Sequence, residues 1–357
     1  MDLPSVMSGV QLVAHGGPES LVWNEAIPMP RPGPGEALVQ VLAAGVNNTD
    51  INTRVGWYAK EVTGATADTQ DGVEAGGFAG ALNFPLIQGG DLCGRVVVSD
   101  GGPAVGARVT CQINQPEPTD AAPAAYRVIG SDYDGAFAEF CAVPVCHLHD
   151  VSASPLSDVE IAAMPCAFGT AAALLDRAGV GEGDRVLITG ASGGVGLAAV
   201  QLAALDGAAV TGVASAAKQD AVREAGAHAV LGREDVPGAG TYDAVVDLVG
   251  GPGWGGLIDA LRPGGRYAVA GAIAGPIVEA DLRTIYLNDI SIFGTTFQPA
   301  QVFERLVERM NAGTVRPLIS ATYPLADIHR AQADFDAKTH AGKLVLIPPG
   351  QAAGEGA

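Results

Sequence analysis

The segment GDRVLITGASGGVGLAAVQLA, residues 183–203, decides the reading of the fold. Val186, Leu187, Ile188 and Thr189 form an apolar run of strand type, which Gly190-Ala191-Ser192-Gly193-Gly194-Val195-Gly196 interrupts before LAAVQLAAL resumes as an apolar helix. A strand that ends in a glycine-rich turn and opens a helix aims unpaired amides, and the positive end of the helix dipole, at one point. Such a point attracts a phosphate-bearing anion. Gly193 and Gly194 let the backbone approach a diphosphate, Val195 continues the turn, and Gly196 lets the helix pack against the sheet.

Outward from this turn, helix and strand signals alternate. Residues 157–177 carry apolar residues at helical spacing. After the turn come a helix over 194–206, a strand over 208–214, a helix over 217–225 and a strand over 244–249. A helix over 254–262, strands over 266–271 and 290–297, and a helix over 299–312 follow, and the chain closes with GKLVLIPP. Strands separated by helices of this length predict an α/β unit with a doubly wound parallel sheet. The second strand discriminates between dinucleotides. A carboxylate near its end binds the ribose 2′-hydroxyl of NAD. Here AVTGVASAAK (209–218) has no carboxylate before Asp220, whereas Ser215 and Lys218 are placed to hold a 2′-phosphate. NADPH is therefore the expected cofactor; Lys218 as an ordinary solvated lysine is the alternative.

Toward the N-terminus the pattern changes to short β segments divided by Gly and Pro. EALVQVLAAGV (36–46), LCGRVVV (92–98), RVT (108–110) and FAEFCAV (137–143) predict a barrel-like domain. Two stretches interrupt it with little apolar periodicity, 59–83 and 113–135, and loops of that length are often functional; tolerated insertion is the alternative.

The chain has 357 residues, of which 48% are hydrophobic and 17% charged, a composition suited to a large core. Its net charge of −19 opposes binding to nucleic acid or to anionic membranes. Val186–Leu205 has the length and neutrality of a membrane span, but its four glycines favour strand, turn and helix. The N-terminus, MDLPSVMSGV, lacks the basic and apolar regions of a secretory signal. Cys93, Cys111, Cys141, Cys146 and Cys166, an odd number, read as reduced thiols of a cytoplasmic protein.

Several motifs in order resemble the medium-chain dehydrogenase/reductase superfamily, on its zinc-independent quinone oxidoreductase-like and enoyl reductase-like branch. They are AAGVNNTDINTRVGWY (43–58), FPLIQGGDLCGRV (84–96), AMPCAFGTAAALL (163–175), residues 183–203, YDAVVDLVGG (242–251), LRPGGRYAVAG (261–271) and AGKLVLIPP (341–349). The resemblance implies a GroES-like β-barrel catalytic domain over 1–155, a Rossmann domain over 156–298, a return of 299–357 to the first domain, an active site in the cleft between them, and homodimers joined through the strand near 290–297. Zinc-dependent members hold zinc with Cys, His and Cys. Here the matching segments are Val46–Asp50, which has no cysteine, Gly90 in the histidine place, and Cys166. One thiolate does not make a three-ligand zinc site. The four-cysteine structural lobe is missing as well, since 112–140 has no cysteine. Cys141, Cys146, His147 and His149 are the other metal candidates, weakened by the alternating side-chain directions of a strand.

A metal-free site must stabilise a developing oxyanion by hydrogen bonds and the cofactor's field. That suits reduction of a quinone, or of the activated C=C bond of an α,β-unsaturated carbonyl compound. Tyr58 matches the tyrosine proposed as proton donor in related enoyl-thioester reductases, with an aromatic plug as the alternative. Asn48 is expected to orient the substrate or the nicotinamide ribose. Thr170 matches a contact on the nicotinamide side, and Gly271 and Ala272 match backbone contacts to that ring. Asp50 and Asp91 are read as braces of local backbone. The rival readings are a zinc-free carbonyl or alcohol dehydrogenase and a non-catalytic, crystallin-like NADPH-binding protein.

Overall fold

The computed structural model describes residues 3–59, 61–64 and 81–351. The chain divides into two compact units: Met1–Val62, Thr69–Cys166 and Pro299–Ala357 form the first, and Thr63–Asp68 with Ala167–Gln298 form the second.

Unit 1 begins with β1 (Val6–Leu12), β2 (Leu21–Pro28), β3 (Glu36–Gly45), α1 (Asn48–Val55), β4 (Leu86–Ile87), β5 (Cys93–Ser99) and β6 (Arg108–Cys111). It continues with β7 (Asn114–Pro116), β8 (Tyr126–Val128), β9 (Phe140–Pro144), β10 (Leu148–Asp150) and α2 (Asp158–Ala162). Helix α3 (Pro165–Ala178) then leads into unit 2. Unit 2 contains β11 (Arg185–Ile188), α4 (Gly194–Leu205), β12 (Ala209–Val213), α5 (Gln219–Glu224), β13 (Ala229–Leu231), β14 (Tyr242–Asp247), α6 (Trp254–Asp259), β15 (Leu261–Val269), α7 (Leu282–Leu287) and β16 (Ser291–Gly294). The chain returns to unit 1 with α8 (Ala300–Ala312), β17 (Ile319–Pro324), α9 (Ile328–Asp336) and β18 (Lys343–Ile347).

In unit 1 the main sheet runs β10-β6-β5-β3-β18-β17, with β9 also on β3, and a smaller sheet runs β2-β1-β4. The last strand of the chain thus pairs with an early one: Val345 faces Gly45 and Leu346 faces Ala44, antiparallel. All five residues of β18 are buried: Leu344–Ile347 as an apolar run covered on both faces, and Lys343 as a buried charge. Leu38, Val41, Leu92, Phe137 and Leu346 lie in the core of this GroES-like domain.

Unit 2 is a six-stranded sheet in the order β13-β12-β11-β14-β15-β16, parallel throughout. Every crossover of a parallel sheet must carry the chain back across a face; α4, α5, α6 and α7 do so here, while residues 232–241 between β13 and β14 form no helix. This is the doubly wound Rossmann arrangement. The order reverses between β11 and β14, so a crevice opens outside the carboxyl ends of these strands.

The structure departs from the sequence expectation in several places. The helix expected over 157–177 is two helices, because Pro165 cannot continue α2 and starts α3 instead. The unit boundary falls at Cys166/Ala167 rather than at 155/156, since α2 packs on β3 and β5 of unit 1. Residues 113–135 are not a structureless insertion. β7 and β8 pair as a hairpin, and the Tyr133 hydroxyl donates to Gln115 at 2.7 Å. Of the 59–83 stretch, residues 60 and 65–80 lie outside the described residues. Val186–Leu205 is strand, turn and helix, and among the described residues no helix is long and apolar enough to cross a membrane.

Candidate active site

The glycine turn sits between β11 and α4. Its shape is fixed by Ala191 donating to Val213 O at 3.1 Å and Gly193 donating to Gly190 O at 3.1 Å. The first bond across the start of the helix runs from Leu197 N to Gly193 O at 2.9 Å. The amides of Gly194, Val195 and Gly196, ahead of it, belong to the helix end that has no intrahelical acceptor.

Two glycines of the turn have different reasons to be there. A Cβ on Gly196 would collide with the Gly190 carbonyl and with Ala191, so strand and helix could not pack. A Cβ on Gly193 would meet nothing closer than Gly190 O at 3.5 Å, and φ at Gly193 is an ordinary −80°. Neither packing nor backbone conformation within the protein demands glycine at 193. The demand fits a ligand that must come against the main chain, as a diphosphate does.

At the end of β12 the chain turns through Ser215, whose carbonyl accepts from Lys218 N at 2.9 Å. No carboxylate stands between Val213 and Lys218. At the ends of β14 and β15, Asp247 is fully buried. It accepts from Thr189 Oγ1, from the amides of Val249 (2.9 Å) and Gly250 (3.2 Å), and from the Tyr267 hydroxyl. This carboxylate shapes the turn that faces Gly271 and Ala272: a Cβ on Gly271 would crowd Leu248 O at 2.7 Å, and Ala274 N donates to Val249 O at 2.8 Å. Thr170 on α3 accepts from Gln298 Nε2 at 3.5 Å, and Gln298 is 2% exposed. The structure therefore places Gly193, Gly194, Val195, Ser215, Lys218, Gly271, Ala272 and Thr170 all in unit 2. Asp247 and Gln298 escaped the sequence reading. Asp247 had a signal, as an acid closing an otherwise apolar strand.

Unit 1 carries a second polar cluster. Asn47 is the N-cap of α1 and forms a capping box with Asp50, the Asn47 amide donating to Asp50 Oδ2 at 2.8 Å. Asn47 Nδ2 donates to Asp91 Oδ2 at 2.9 Å, and Cys166 N donates to Asp91 Oδ1 at 2.6 Å. The Lys343 ammonium, on β18, donates to Asp91 Oδ2 (2.9 Å), Val46 O (3.0 Å) and Asn47 Oδ1. Asp50 and Asp91 are thus braces, and Lys343 is a member the sequence reading missed although it is the one charge in GKLVLI. Burial, reinforced by Asp91, pushes the Asp50 carboxyl up to about 7 against the lowering hydrogen bond from Asn47.

Asn48 does not join this cluster. It begins α1, is half-buried, and its Oδ1 accepts from Lys338 Nζ at 3.3 Å. Tyr58 follows the C-cap of α1, Gly56, whose φ of +73° turns the chain sharply. Its ring meets Trp57 edge-on at 5.6 Å between centroids. Burial pushes its phenol up to about 12, with hydrogen bonds to Thr49 and Asn52 opposing the rise. The group therefore holds its proton throughout the neutral range.

The places matching zinc ligands do not suit zinc. Gly90 supplies no ligand atom, and the Ile113 side chain fills the space that a side chain at this position would occupy. Asn47 is bound to Asp91 and Lys343, and an ammonium beside these groups repels a dication. Burial pushes the Cys166 thiol up to about 12, which opposes formation of a metal-binding thiolate. Among the described residues no group of three His, Cys, Asp or Glu side chains is arranged to hold a metal.

Comparison with known proteins agrees with this geometry. The alcohol dehydrogenase GroES-like domain family matches residues 33–153, and the zinc-binding dehydrogenase family matches residues 215–346. A chain from Sinorhizobium meliloti 1021, solved as a candidate alcohol dehydrogenase, is 39% identical and superposes with a TM-score of 0.86, covering 97% of this chain and 98% of its own. The acryloyl-coenzyme A reductase of Metallosphaera sedula is 28% identical over 89% of this chain and 93% of its own length. The quinone oxidoreductase of Lama guanicoe is 28% identical over 96% and 98% respectively. With this sheet order, this glycine turn and these matches, the chain belongs to the medium-chain dehydrogenase/reductase superfamily of pyridine-nucleotide oxidoreductases.

Proposed function

We propose that the protein is a metal-independent, NADPH-dependent reductase of a quinone or of the activated C=C bond of an α,β-unsaturated carbonyl compound. The observation that carries this reading is Gly193, at the start of the helix, where neither packing nor φ calls for glycine and a diphosphate lying against the main chain would. The amides of Gly193, Gly194 and Val195 would hold that diphosphate, Ser215 and Lys218 the 2′-phosphate, and Thr170, Gly271 and Ala272 the nicotinamide end. Thr170, Gly271 and Ala272 would hold the reduced nicotinamide, whose chemistry there would be hydride donation to the β-carbon of an enone. Tyr58 keeps a proton available for the α-carbon or the enolate oxygen, as a general acid must. Asn48, at the start of the helix that Tyr58 follows, orients the substrate carbonyl.

Metal independence is supported by Ile113 against Gly90 and by the ammonium of Lys343, and no step here needs a Lewis acid. The reductase reading is supported by relatives named for acryloyl-coenzyme A and quinone reduction. Relatives named as NAD-dependent alcohol dehydrogenases favour a second reading, zinc-free interconversion of carbonyl and alcohol. NADPH oxidation measured against a panel of quinones, enones, acryloyl thioesters, ketones and aldehydes separates them. Turnover confined to quinones and C=C acceptors supports the proposal; turnover confined to ketones and aldehydes overturns it.

The proposal extends to a soluble, cytoplasmic homodimer. β16 pairs with β15 on one side, its Ile292 is exposed, and in α7, the helix that precedes it, Leu282, Tyr286 and Leu287 are exposed, Leu287 by 70%. An apolar sheet edge of this kind is an aggregation hazard unless paired, and a second copy pairs it symmetrically. Sedimentation should give a dimer that Leu287→Glu splits into monomers; a monomeric wild-type protein contradicts it.

A further inference from the structure

We propose, resting on the NADPH reading above, that Arg233 is a second cation of the 2′-phosphate site and acts with Lys218 to set the preference for NADPH over NADH. β12 and β13 are parallel neighbours, with Val213 opposite Leu231, and Ala214 N donates to Leu231 O at 3.0 Å. The residues leaving the two strands therefore emerge side by side at the carboxyl edge of the sheet. That edge adjoins the glycine turn, tied to it by Ala191 N donating to Val213 O.

Each strand is followed by a tight turn that presents a base. Lys218 N donates to Ser215 O at 2.9 Å, folding Lys218 back beside the strand end. Gly232 N donates to Asp235 Oδ2 at 2.6 Å and Asp235 N donates to Gly232 O at 3.3 Å, which puts Arg233 at the leading corner of its turn. Lys218 is half-buried, and burial, followed by the charge of Arg233, lowers its pKa. Two cations close enough to disfavour each other's charge are relieved by an anion between them. Of the acids in these two turns, Asp220 pairs with Arg223 at 2.7 Å and Asp235 accepts from Gly232 N. A phosphomonoester, with close to two negative charges and three acceptor oxygens, matches an ammonium and a forked guanidinium together. The adenosine ribose reaches this edge of a Rossmann sheet, and only the phosphorylated form brings that group.

The test is titration of the full-length protein with NADPH and with NADH, comparing wild type, Arg233→Ala and Arg233→Lys. Arg233→Ala should weaken NADPH binding about tenfold, the usual size of one charge-assisted contact, and leave NADH binding within about twofold. Arg233→Lys should recover part of the NADPH affinity. Unchanged NADPH binding in Arg233→Ala, or an equal loss for both nucleotides, overturns the assignment. If wild-type protein binds NADH as tightly as NADPH, the NADPH reading itself fails, and the role of Arg233 with it.

Discussion

The ammonium of Lys343 donates to the carboxylate of Asp91 at 2.9 Å, with the two side chains 4% and 0% exposed. Lys343 comes from β18, near the end of the chain, and Asp91 from the turn before β5. The same carboxylate also receives Asn47, ahead of α1, and the Cys166 amide at the start of α3. One buried ion pair thus fixes four segments of unit 1, among them the helix that leads to Tyr58.

Removing one partner of such a pair leaves an uncompensated charge in the core. Lys343→Met should destabilise the protein by about 3–5 kcal/mol, and Asp91→Asn by at least as much, because the amide keeps one of the two acceptor oxygens and leaves the Lys343 ammonium buried without its counter-charge. Chemical denaturation of both variants checks the order. Loss in Lys343→Met of under about 1 kcal/mol would mean that the pair does not organise this region.

Asp50 gives stability a pH dependence. Its folded-state pKa of about 7 lies above its ordinary 3.8, so its protonated form is the one favoured by folding. Its contribution is therefore fully present below about pH 4 and is lost as pH rises through 7. Relative to Asp50→Asn, the wild-type protein should lose up to about 1.4 kcal/mol per pH unit across that window and nothing further above it. Parallel unfolding curves for the two proteins from pH 4 to 8 would contradict this.

Tyr58→Phe should lower kcat at least about tenfold while leaving the Kd of NADPH unchanged, because the phenol is placed to move a proton and not to bind the nucleotide. Asn48→Ala should act mainly on KM and leave the Tm near wild type, since its amide lies outside the buried cluster. Asn47→Ala should lower the Tm. Turnover of Tyr58→Phe equal to that of wild type removes the residue from the chemistry.

Gly193→Val and Gly196→Val separate binding from folding. The first has room for a side chain and should fold with a near-native Tm but weaken NADPH binding at least about tenfold. The second drives a side chain into Gly190 O and should fail at folding. Nucleotide binding by Gly193→Val equal to wild type would show that the turn does not cradle a diphosphate.

The parts of this molecule legible in its sequence are those encoded locally. The 183–203 segment carries its strand, turn and helix within one window, and the alternation of elements after it places a parallel sheet. β13, β17, α7 and α9 were not foreseen: β13 has three residues, and α7 is an exposed helix with none of its residues buried. Asn47, which forms the buried contacts next to Asn48, is legible in the sequence only as the first residue of the Asn-x-x-Asp pattern of its capping box with Asp50. Lys343 could not be joined to Asp91 by inspection, since the two are brought together only by β18 pairing with β3. The hairpin in 113–135 was hidden by its prolines and by strands of three residues.

The central claim is that reduction proceeds on NADPH without a cation. The most direct measurement is NADPH-dependent turnover of a quinone or enone by protein treated with a strong chelator, with bound zinc quantified in the same sample. Full activity at zinc contents far below one per chain is the predicted result. Activity that disappears with the metal and returns when zinc is restored would contradict it.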